Sequence, residues 1–119
     1  MIEEKPGRDW TDLRGRLVEL AINANIKIKY RSLSAQGYCL RFYDGTQVIL
    51  VKEDDSIEEQ AKTIAHEMGH LAHGHKWDIS GPQPEQNEKE ANIYGHDLLL
   101  ILENVPGFVP TELLRAAHG

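Results

Sequence analysis

The sequence predicts an α+β fold on three observations. A helical-period segment opens the chain, a block of period-two patterning with a tight-turn signal follows, and two more helical stretches come after it. The expected architecture is a small three-stranded, mainly antiparallel sheet packed against two consecutive helices, with a further helix at the N-terminus. At 119 residues, one domain spanning 1–119 is expected, because a single core usually serves roughly 100–150 residues.

Asp9 is suited to cap a first helix over Trp10 to Asn23, where Trp10, Leu13, Leu17, Leu20 and Ala21 recur at helical spacing. The period then becomes two: Ile26, Ile28 and Tyr30 alternate with Lys27, Lys29 and Arg31, as in a half-buried strand. Strands near Tyr38–Tyr43 and Thr46–Lys52 flank Asp44-Gly45, a dipeptide that accepts the positive φ angles of a two-residue hairpin turn. That loop would set Leu40 opposite Ile49 and Tyr38 opposite Val51. Thr46 to Lys52 is then a candidate sheet edge, able to hold an extended peptide by strand addition. Ser56 and Glu59 form a capping-box pattern for a second helix reaching about Ala72. Gly74 to Pro84 reads as loop, Glu85 to Leu102 as a third helix, and a short helix is expected after Pro110.

Composition narrows the function classes. Hydrophobic residues make up 40% and charged residues 27%, which is ordinary globular usage and argues against disorder. The 13 basic residues against 19 acidic ones leave a net charge of −6, so direct nucleic-acid binding is disfavoured despite Arg14, Arg16, Lys27, Lys29 and Arg31. No apolar run approaches the roughly 20 residues of a membrane span. The first residues lack a secretory plan, and one cysteine cannot form an internal disulfide; the cytoplasm is the expected compartment.

The chemistry concentrates in His66-Glu67-Met68-Gly69-His70, an H-E-x-x-H motif on the second helix. Residues four apart lie on one helix face, so both imidazoles can grip one metal ion while Glu67 reaches the ion's water without ligating it. Ile57, Ala61, Ile64, Ala65, Met68, Leu71 and Ala72 supply the apolar arc, leaving the histidines opposite with Thr63, Gly69 and His73. A tetrahedral catalytic zinc needs a third protein ligand. Glu88 on the next helix is the best candidate, with Glu85 and Glu90 as rivals, Glu90 being expected to face solvent. Small Ala91 would allow close helix approach, and Asn92 could bond a ligand histidine from behind. His73, His75, Tyr94 and His96 are candidates for stabilising an oxyanion. Cys39 offers an alternative third ligand of deformylase type, although a free cysteine mid-strand is commonly a small buried hydrophobe.

His66–His70 followed by Glu88-Lys89-Glu90-Ala91-Asn92-Ile93-Tyr94-Gly95-His96-Asp97-Leu98-Leu99 resembles the ImmA/IrrE family of metallopeptidases, which carry H-E-x-x-H and then an E-x-E-A-N-x-F-A-x-x-L-L segment. The resemblance covers about Asp54 to Leu102, with Tyr94 and Gly95 where Phe and Ala are usual. It implies a zinc ion (Zn2+) held by His66, His70 and Glu88, with Glu67 as general base. It also implies cytoplasmic, site-specific cleavage of a protein substrate, a helix-turn-helix repressor encoded beside the enzyme. The reading from a different class is a zinc-containing interaction module that binds such a regulator without cutting it.

Overall fold

In the computed structural model, residues 8–75 and 84–105 are described. The short helix expected after Pro110 lies outside them. Helix α1 spans Trp10–Asn23, and the Asp9 carboxylate accepts from the Asp12 amide at 3.0 Å, as its capping role requires. The helix buries Leu13, Leu17, Leu20 and Ala21. Asn25 takes φ +59°, a left-handed turn that releases the chain into strand β1, Ile26–Arg31.

Strands β2, Gly37–Arg41, and β3, Gln47–Lys52, complete a sheet of order β1-β3-β2. The sheet is mixed rather than mainly antiparallel: β3 runs parallel to β1 and antiparallel to β2. The strand containing Thr46–Lys52 is therefore the centre, and β2 is the edge. The continuous Val48-Ile49-Leu50-Val51 run fits a central strand, whose burial on both faces needs apolar residues without alternation.

The hairpin register also differs from expectation. Leu40 pairs with Val48, Tyr38 with Leu50 and Cys39 with Ile49. The loop has three residues, Tyr43-Asp44-Gly45: the Phe42 amide donates to the Thr46 carbonyl, and Gly45 at φ +88° donates to the Phe42 carbonyl. One extra loop residue turns β2 over, as the two-residue period demands. Gly37 and Cys39, rather than Tyr38 and Leu40, share the inward face with Ile49 and Val51.

Helix α2, Ile57–Ala72, starts at Ser56, whose side chain accepts from the Glu59 amide. The expected reciprocal bond is replaced: the Glu59 carboxylate accepts from the Gln36 side chain at 3.3 Å. Helix α3, Glu85–Asn104, packs along α2. The α2 face opposite the sheet is consequently covered, and Gly69 and His70 are buried; Thr63, expected on that face, is buried instead with its side chain toward Gly37 of β2. A Cβ on Gly69 would lie 2.8 Å from the Ala91 backbone, and one on Gly95 would lie 3.0 Å from the backbone of Ala65 and His66. The helices thus touch main chain to main chain, and the closeness credited to Ala91 depends equally on the two glycines. Arg16 ties α1 to this layer by donating to the Leu102 carbonyl at 2.7 Å. No described helix is long and apolar enough to cross a membrane.

Candidate metal centre

His66 and His70 stand one turn apart on α2 with ring centroids 4.8 Å apart. Close α2–α3 contact brings Glu88, in the first turn of α3, across from them. Its two carboxylate oxygens lie 3.1 Å from His66 Nε2 and 2.9 Å from His70 Nε2. Donors on a tetrahedron around zinc, each about 2.0–2.1 Å from the ion, stand roughly 3.3 Å apart, close to these two separations, with a different Glu88 oxygen facing each histidine. His70 is almost fully buried. Its pKa is lowered, by burial first, with the Glu88 charge opposing; the neutral imidazole a metal needs is favoured.

A second carboxylate lies nearby: Glu67 offers an oxygen that groups with one nitrogen of each histidine within 4.8 Å, a set that does not include Glu88. The two acids are not equivalent. Glu88 is half exposed and faces both Nε2 atoms, whereas Glu67 is buried beside the edge strand. Burial pushes the Glu67 carboxyl up to about 7; the Cys39 thiol, which donates to it, pulls the other way, and the Glu88 charge adds to the rise. Cys39 is thus a partner of Glu67. Burial, then the Glu67 charge, pushes its thiol well up, away from the thiolate that metals bind.

A cleft of 480 Å³ opens beside the histidines, lined by Gln36, Gly37, Glu59, Lys62, Thr63, His66, Glu67, Glu88 and Asn92. It reaches the start of edge strand β2, where a Cβ on Gly37 would strike the Thr63 side chain. The β2 edge, not Thr46–Lys52, is the strand beside the site.

The remaining predicted residues scatter. Asn92 is exposed and lines the cleft; the Nδ1 atom of His70 instead faces His75 Nδ1 at 2.9 Å. His96 is exposed in an adjoining depression that also touches His66. Tyr94 packs against the core with its ring edge-on to His73, 5.9 Å between centroids. His73 is the C-cap of α2. Glu85, the other rival, is exposed at the start of α3. Glu90 does not face open solvent alone: His75 Nε2 lies 3.3 Å and His73 Nδ1 3.9 Å from its carboxylate. The signal that could have found this contact is Gly74, whose helix-stop geometry folds the following residue back over His70.

An H-E-x-x-H helix on a small α+β scaffold, facing a carboxylate from the next helix, defines a metallopeptidase-like domain. The chain belongs to the IrrE N-terminal-like domain family of peptidases, whose profile matches residues 22–106. No curated protein and no solved structure matches it.

Proposed function

We propose that this chain is a zinc-dependent endopeptidase that cuts one specific protein partner, a helix-turn-helix repressor encoded beside it. The observation that carries the reading is the convergence of His66, His70 and Glu88 next to buried Glu67, at a cleft that reaches the start of edge strand β2. His66, His70 and Glu88 would hold the ion, which when bound supplies Lewis acidity toward the scissile carbonyl and acidifies water. Glu67 accepts a proton from the attacking water and returns it to the departing amine. Its burial raises its proton affinity into the range where both transfers are possible near neutrality. The β2 edge aligns an extended segment of substrate by main-chain hydrogen bonds. The net charge of −6 suits a basic, DNA-binding partner.

The test is to incubate the zinc-loaded chain with the adjacent-encoded repressor and follow the fragments by mass spectrometry. Wild type should produce one cleavage, and Glu67→Gln none while still binding one zinc. A repressor that stays intact with wild type but co-purifies with it would replace the protease reading with that of a non-cleaving module. One that neither binds nor is cut would remove this partner.

A further inference from the structure

Beyond the proposed ligands, the end of α2 builds a second constellation. Gly74 at φ +67° donates to the Leu71 carbonyl, and the His75 amide donates to the His70 carbonyl at 3.0 Å. These two bonds make a Schellman stop, which folds the second residue past the cap over the residue three before it, usually in an apolar contact. Here the two residues are His75 and His70. Their Nδ1 atoms lie 2.9 Å apart, and the other nitrogen of His75, Nε2, lies 3.3 Å from Glu90 Oε1 on α3. His75 retains only 8% of its side-chain exposure, so water does not substitute freely for these partners.

The chain of contacts admits one arrangement of protons. A neutral imidazole that presents Nε2 to a metal carries its proton on Nδ1. His70 Nδ1–H must then donate to His75 Nδ1. A neutral His75 that accepts there carries its own proton on Nε2, where the Glu90 carboxylate accepts it. All three contacts are satisfied, with no donor facing a donor.

We propose that His75 and Glu90 are positioning residues for the metal centre: they lock the ring orientation and tautomer of His70 through a His70–His75–Glu90 relay. This rests on the reading of His70 as a ligand through Nε2. The competing use of the same groups is a second metal site, since His73, His75 and Glu90 offer donor atoms within 4.8 Å of one another. Ligation through His75 Nε2 would move its proton to Nδ1, against the proton of His70 at 2.9 Å. The relay and the second site exclude each other while His70 ligates.

The experiment is zinc affinity of the full chain, measured by competition with a chromophoric chelator, for wild type, His75→Ala, His75→Asn and Glu90→Ala. Partners behind a metal ligand typically govern affinity by about 10–100-fold. His75→Ala should lose that much while circular dichroism shows the fold retained. His75→Asn should recover most of it, because its side-chain oxygen sits on Cγ where Nδ1 did. Glu90→Ala should weaken binding in wild type but not in the His75→Asn background. Two-bond proton–nitrogen imidazole spectra of the zinc-loaded protein should show His75 protonated on Nε2. Wild-type affinity in His75→Ala, no recovery with asparagine, a second zinc lost with His75, or a proton on His75 Nδ1 would each overturn the relay alone. A wild-type chain that binds no zinc would overturn it together with the proposed function.

Discussion

Two clusters in this molecule contain the same chemistry, two imidazoles and a carboxylate, and they differ in what their atoms are free to do. In His66, His70 and Glu88, both histidines rise from adjacent turns of one helix and leave both Nε2 atoms directed at the carboxylate. In His73, His75 and Glu90, the histidines straddle a helix stop, and the Nδ1 of His75 is already engaged by His70. A donor set is therefore not yet a site. The nitrogens left over after local structure has taken its share decide which cluster can accept an ion.

The largest effect separates proton transfer from metal holding within the first cluster. Glu67→Gln should reduce cleavage by roughly 10²–10⁴-fold, the range for loss of a general base, while metal content stays at one per chain. Elemental analysis beside the cleavage assay checks it. Loss of metal in this variant would mean that Glu67, not Glu88, is the third ligand.

Next in size is the contrast between the two clusters themselves. Glu88→Ala should weaken zinc binding by more than about 100-fold, beyond what a partner behind a ligand governs, whereas His73→Ala should leave affinity within about twofold. Chelator competition on both variants tests the ranking. Equal losses would show that the clusters act as one site.

Both clusters depend on how near α3 lies to α2. Gly69→Ala places a Cβ 2.8 Å from the Ala91 backbone, where no flexible side chain can yield. Overpacking of this kind costs about 1–3 kcal/mol. Denaturant titration should show that loss, and zinc affinity should fall with it because Glu88 is carried away from the histidines. An unchanged stability would mean that the helices can separate without cost, and the site's geometry would then need another cause.

Much of this was legible in the chain. The α1 limits, the β1 alternation and the start of α2 follow from capping residues and periodicity; α3 begins after Pro84 with no side-chain cap and runs two residues past Leu102. The expectation that Glu88 joins His66 and His70 has a geometric counterpart, its carboxylate lying 3.1 and 2.9 Å from their Nε2 atoms. What escaped was set by single residues acting through turns. Tyr43 joined the hairpin loop, which made it three residues long and turned Gly37 and Cys39 toward Glu67 and Thr63. The unbroken Val48–Val51 run carried the signal of a central strand, but a hairpin can be drawn without asking which of its strands is covered. Helix phase alone leaves Glu90 in solvent; its contact comes from His75, which the Gly74 stop folds back onto α2.

That return gives the smallest and most discriminating prediction. Gly74 has φ +67° and open space around any added Cβ, so Gly74→Ala adds conformational strain and no clash. The left-handed penalty of about 1 kcal/mol should lower the melting temperature by roughly 3–5 °C in a chain of this size. The same strain bears directly on His75, since the Gly74 and His75 amides make the bonds that seat it over His70. If the stop relaxes, zinc affinity should drop toward that of His75→Ala although no ligand and no partner has been altered. Scanning calorimetry with and without zinc reads both quantities on one sample: the zinc-induced rise in melting temperature should shrink in Gly74→Ala by more than the apo midpoint falls. A lowered apo midpoint with an undiminished zinc-induced rise would show that His75 reaches His70 without the helix stop. The second cluster would then owe its place to Glu90 and α3 instead.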